Sequence, residues 1–191
     1  MSKKRDAIVE TADRLFYREG FAATGIDRVV EAAEVALGTL YKHFHGRSAL
    51  VVGALDHREA TYFARLEEAA AGLEGPPRVL GLFDGLLAWT EAEGGNGCLF
   101  LRAAAAHPLD AEIRTRVRQH KARYLALCRQ RLREAGWEAT AARRLAPQIF
   151  LLLEGAVAAA AQLGDKMAVT QARRMAAELL QREPAPGKPR Q

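Results

Sequence analysis

The stretch from Thr24 to Leu50 (TGIDRVVEAAEVALGTLYKHFHGRSAL) limits what this chain can fold into more than any other. Ile26, Val29, Val30 and Ala33 recur at i, i+3, i+4 and i+7, which is one face of a helix with 3.6 residues per turn. Leu37, Leu40 and Phe44 repeat that spacing. Only Glu34, Val35 and Ala36 lie between the two sets, too few for anything but a sharp corner. Two short helices joined this way must cross steeply. That is the layout of a helix-turn-helix, whose second helix enters the major groove of DNA.

With Leu37, Leu40 and Phe44 turned inward, the second helix is expected to present Gly38, Thr39, Lys42 and His43 outward, with Tyr41 on the flank. Each residue type suits contact with a duplex. Gly38 lets the backbone approach closely. Thr39 can hydrogen-bond a base edge or offer its methyl to thymine. Lys42 brings a positive charge, and Tyr41 and His43 can donate to phosphate oxygens. Arg47 falls in the first turn of the next helix, where free N–H groups also favour a phosphate.

These residues resemble the tetracycline-repressor (TetR) family of transcriptional regulators. The resemblance covers roughly residues 5–55 and rests on Phe16, Gly20-Phe21, Thr24, the run GTLYKHF at 38–44, Arg47 and Leu50. It implies a DNA-facing set of Thr24, Arg28, Gly38, Thr39, Tyr41, Lys42, His43 and Arg47. Two positions depart from the family pattern. Glu34 stands where the turn usually has glycine, and Ala36 where the recognition helix usually starts with Ser or Thr. Alanine is a poor N-cap, so the start of that helix should be weakly held.

Charge does not carry the DNA argument. The net charge is +5, but residues 1–47 hold eight basic against seven acidic side chains. Residues 113–133 hold eight Lys/Arg and no acid, and read as a solvated basic stripe. An anionic effector or a second nucleic-acid contact is the alternative for that stripe. Two cysteines, Cys98 and Cys128, make no disulfide framework and fit a reducing cytoplasm. The basic N-terminus lacks the apolar core of a secretory signal. Glu154 breaks the long apolar run near the C-terminus, so no membrane span is expected. His43 and His45 are two apart and face away from each other on a helix, a poor metal pair. No metal and no cofactor are expected.

At 191 residues rich in alanine, with no alternating strand-like runs, the chain reads as all-α. The domain reading is residues 1–47 for a three-helix DNA-binding domain and 48–182 for a helical effector-binding and dimerisation domain. Within the latter, 48–72 forms a connecting helix, and 183–191 reads as a disordered tail. Further helices are expected at about 78–93, 98–107, 111–135, 141–163 and 169–181, with breaks at Pro77, Gly94–Gly97, Pro108 and Gly136. Residues 141–163 are apolar almost all round, so they should serve both as core and as the interface of a homodimer.

The resemblance also implies a ligand pocket in the second domain. Its candidate lining is Phe83, Leu87, Trp89, Phe100, His107, Tyr124, Cys128, Phe150 and Glu154, the last an isolated carboxylate that is expensive to bury unpaired. The reading is a DNA-binding regulator, a repressor in its likeness to the family. It would bind a palindromic operator as a homodimer and be released by an unknown small-molecule effector. The alternative is a constitutive architectural DNA binder with no effector. A helical enzyme is disfavoured because no nucleophile–base pair, phosphate-cradling glycine loop or metal-ligand spacing is present in the sequence.

Overall fold

The computed structural model describes residues 2–93, 95–165 and 167–183. The regular structure of these residues is entirely helical: α1 (Lys3–Arg18), α2 (Ile26–Ala32), α3 (Leu37–His43), α4 (Arg47–Ala69), α5 (Pro76–Glu93), α6 (Leu99–Ala106), α7 (Ala111–Glu134), α8 (Ala139–Leu163) and α9 (Ala168–Gln181). The expected tail beyond Glu183, and Gly94 of the expected loop, lie outside the described residues.

The chain forms two compact units, and the cut differs from a boundary at residue 47. One unit comprises the residues up to Thr61 together with Cys98–His120; the other comprises Tyr62–Gly97 and Lys121 onward. Residues of α4 and α7 therefore fall in both units. The reason is apolar. Ile8, Ala12 and Phe16 of α1, Val29 of α2, Leu40 of α3 and Leu50 and Leu55 of α4 share one core with Leu99, Phe100, Ile113 and Val117. A sequence-distant segment completes this first unit because the N-terminal helices have little surface to bury among themselves.

Polar contacts pin that segment within its unit. Arg102 of α6 donates to the carbonyl of Tyr17 at 2.9 Å, at the end of α1. Gly20 follows with φ +87°, the left-handed conformation that ends a helix without a Cβ penalty. Asp110 accepts from Ser48 and also from the Ile113 backbone N–H at 3.0 Å, which caps α7. The Ile113 hydrogen bond, then the one from Ser48, hold the Asp110 carboxyl below its ordinary range.

In the other unit α5, α8 and α9 pack together. Phe83, Leu86, Leu145, Ile149, Leu153, Ala172, Ala176 and Leu180 form its centre, with Tyr124 and Cys128 of α7. Burial pushes the Cys128 thiol up to about 12, so it stays protonated at neutral pH.

Three expectations change. The basic run is not simply a solvated face: Arg116 and Arg131 are among the most buried polar residues, 6% and 1% exposed. Arg116 pairs with Asp56 and Glu59, and Arg131 with Glu67 and Glu134. Glu154 does not exclude α8 as a span by length and composition alone, since the 25-residue helix is apolar enough to cross a membrane, a test that a core helix also passes. The carboxylate is instead paired with Lys121 Nζ, at 2.7 and 2.6 Å from its two oxygens. Finally, α8 is sided. Leu145, Ile149, Leu153 and Ala156 enter the core, whereas Gln148, Leu151, Gly155 and Ala158 are exposed.

Candidate nucleic-acid interface

The corner between α2 and α3 is made by a backbone reversal. Glu34 adopts φ +52°, the one non-glycine residue with positive φ among the described residues. The Val35 N–H then closes onto the Val30 carbonyl at 3.2 Å. Ala36 begins α3 from an extended conformation (φ −71°, ψ 145°) and, as its side chain requires, offers no capping hydrogen bond.

Leu40 is fully buried, and Phe44 leaves the helix in an extended conformation to plug the core. That plug needs Gly53 of α4, where a Cβ would lie 2.8 Å from the Phe44 ring and 3.2 Å from Val9. Gly53 is a positioning residue that periodicity alone does not single out; its signal is a glycine inside a strong helical pattern.

The exposed face of α3 is rotated from expectation. Leu37, Gly38, Tyr41 and Lys42 are exposed, while Thr39 and His43, both expected outward, are half-buried at its margins. The spacing predicts Leu37 inside, yet it is 43% exposed; Tyr41 is 48% exposed. The physical reason is that Leu40 and Phe44 suffice to close the small core, so Leu37 falls beyond its edge. Around Gly38 nothing approaches within 4 Å of the Cβ position, leaving open backbone at the centre of the face. Lys42 stands at one edge of it with no ion pair among the described residues.

Three other residues of the expected DNA-facing set are engaged elsewhere. Thr24 is fully buried and its hydroxyl donates to the Leu15 carbonyl at 3.5 Å. Arg47 is turned inward: it donates to the carbonyls of Thr24, at 2.6 Å, and Phe21, and its guanidinium lies over the Phe16 ring. It clamps the α1–α2 connection to the start of α4, so its contribution to a DNA surface is positioning. Arg28 is held between Glu19 and Glu31 at the surface, and its hydrogen bond to Glu19 raises its pKa.

The candidate ligand residues divide between the units. Phe100 and His107 belong to the DNA-binding unit: Phe100 stacks flat on His120 at 3.6 Å, and His107 sits edge-on to Phe21 at 5.2 Å. They therefore leave the expected set. Phe83 and Cys128 are fully buried packing residues. Trp89, Tyr124, Phe150 and Glu154 lie at an aromatic nest. The Tyr62 and Tyr124 hydroxyls share a hydrogen bond of 2.8 Å, Trp89 sits edge-on to Tyr62, and Phe150 edge-on to Tyr124. Burial and then the neighbouring Tyr62 hydroxyl raise the Tyr124 pKa well above its ordinary value, so its hydroxyl stays protonated and able to donate. A separate cleft of about 520 Å³ is lined by Leu87, Thr90, Glu91, Ala160, Ala161 and Val169, and takes only Leu87 from the expected set. No group of three or more metal-ligating side chains occurs among the described residues.

A buried corner with an exposed second helix, braced by α1 and α4, defines a helix-turn-helix DNA-binding unit. The family described as "Bacterial regulatory proteins, tetR family" matches residues 8–54. A TetR-family transcriptional regulator from Streptomyces coelicolor superposes with a TM-score of 0.82 at 27% identity, over 95% of this chain and 90% of that one. The transcriptional repressor NemR of Escherichia coli is 29% identical over 104 residues, covering 53% of this chain and 52% of its own. The transcriptional regulator TtgR of Pseudomonas putida is 37% identical over 67 residues, covering 34% of this chain and 32% of its own. The chain thus spans about a quarter to a half of the length of the curated relatives it matches. Residues 8–54 thus carry the DNA-binding segment of the TetR family, and the all-α fold of the described residues is that of a TetR-family transcriptional regulator.

Proposed function

We propose that this protein is a cytoplasmic transcriptional repressor that binds a palindromic operator as a homodimer and leaves it when a small molecule occupies its second domain. The observation that carries the reading is the exposed face of α3, where Gly38, Tyr41 and Lys42 stand outward on a helix whose opposite side is locked by Leu40 and Phe44. Gly38 allows close approach, Tyr41 can donate to a phosphate or stack on sugar, and Lys42 neutralises a phosphate. In this reading residues 1–47 read DNA and 48–182 bind effector and partner. The effector would be met by Leu87, Trp89, Tyr124, Phe150 and Glu154, and could act only through a difference in affinity between the operator-fitting and non-fitting states.

Lys42→Ala tests the reading at its simplest point. The variant is expected to weaken operator binding and keep the fold. It should also reduce the slope of log K against log salt by about one unit, the share of a single cation that neutralises a phosphate. A mobility-shift titration across salt concentrations measures both effects on binding. Wild-type affinity and slope in the variant would remove α3 from the interface.

A further inference from the structure

Leu37 and Tyr41 are four residues apart on α3 and stand together on its exposed face, beside the open backbone at Gly38. A leucine there has no packing role, since Leu40 is fully buried and fills the interior position. Nor can it take part in a hydrogen-bonded reading of bases, because it has neither donor nor acceptor. In the major groove only one base edge presents an apolar group, the C5-methyl of thymine. Against cytosine, adenine or guanine the same side chain would cover an amino or carbonyl group without supplying a partner, which is costly. The chemistry is selective in both directions.

We propose that Leu37, backed by the Tyr41 ring, is a specificity-determining residue that reads a thymine methyl at one fixed position in each half of the operator. The inference rests on the reading of α3 as the helix that enters the major groove. It adds to it the base that this chain selects and the side chain that selects it. Lys42, at the other edge of the same face, supplies affinity without sequence preference, so the two edges divide the work between specificity and strength.

The test uses the full chain. Duplexes are first selected from a randomised pool by the wild-type protein. Each thymine of the selected site is then replaced by uracil, which removes the methyl and leaves base pairing unchanged. Loss of one buried methyl corresponds to about a threefold to fourfold effect, so a symmetric pair should weaken wild-type binding about tenfold. Leu37→Ala is expected to bind the thymine and uracil duplexes alike, with an affinity close to that of wild type on uracil. Because Leu37 lies outside the core, its thermal unfolding should match wild type, which separates loss of reading from loss of fold. The proposal is overturned if Leu37→Ala keeps the wild-type preference for thymine, or if wild type is indifferent to uracil at every position. Failure of wild type to enrich any duplex is a different outcome: it overturns the DNA-reading assignment of α3 itself, and the methyl contact with it.

Discussion

Glu34 and Ala36 are the two residues at which the reader's corner works against its own backbone. A side chain at φ +52° crowds its Cβ against the following carbonyl, and Glu34 is exposed, so nothing it touches compensates. Glu34→Gly should therefore stabilise the DNA-binding unit by about 1 kcal/mol, the order of the left-handed penalty for a non-glycine residue. Ala36→Ser should add about 0.5–2 kcal/mol by giving α3 an acceptor for its first free N–H groups. Urea unfolding of the double variant, with hydrogen exchange over residues 37–43, measures both. Unchanged exchange protection would mean that α3 is already held by other contacts and that its missing cap costs nothing. Both weak points are legible in the sequence, because each sits at a fixed place in a recognisable motif. The position of Leu37 is not. Periodicity gives the phase of a helix but not the edge of the core that it faces, and in a seven-residue helix one leucine can fill the core while the other lies outside it.

At the scale of elements, α7 shows what a local reading of charge leaves out. Its eight cations with no acid among them look like one wet face. The acids that neutralise two of them lie mostly on α4: Asp56, Glu59 and Glu67 pair across more than fifty residues of chain. Apart from Glu134, which lies one turn from Arg131, no window of sequence holds both partners, so the burial of Arg116 and Arg131 could not be read from it. Glu59 is the centre of the group in the DNA-binding unit. It accepts from Arg116 at 3.3 and 2.8 Å and from the His120 ring at 3.0 Å, while His120 stacks on Phe100. Burial works to lower the Arg116 pKa, but hydrogen bonds to Asp56 and Glu59 outweigh it and leave it raised. Glu59→Ala would leave the buried guanidinium with Asp56 alone. It is expected to cost about 3–5 kcal/mol, the range for breaking a buried pair from one side. Glu59→Gln, which keeps an acceptor, should cost less. Chemical denaturation of both variants tests the ordering, and an equal, small effect of the two would mean that solvent or Asp56 already satisfies Arg116.

At the scale of the whole molecule the open question is what covers the outer face of α8. Its apolar character is plain in the sequence, but which residues point inward needs the fold. Ala156 is 4% exposed and lies in the core, whereas Leu151 is 67% exposed, with Gly155 also exposed one turn further along the helix. On α9, which packs beside α8, Met175 is 56% exposed. A stripe of leucine, methionine and small residues on two adjacent helices suits a self-complementary contact, in which the same patch meets itself across a two-fold axis. Leu151→Glu should then place two carboxylates in the apolar interface, where they lack partners, and yield a folded monomer. Ala156→Glu should instead disrupt the unit's own core, because its charge would be buried within a single chain. Light scattering separates monomer from dimer, and circular dichroism reports folding. The Leu151→Glu monomer should also lose most of its operator affinity, since one reader engages only one half-site and the advantage of two linked readers disappears. A Leu151→Glu protein that remains a dimer of wild-type stability would put the interface on another face.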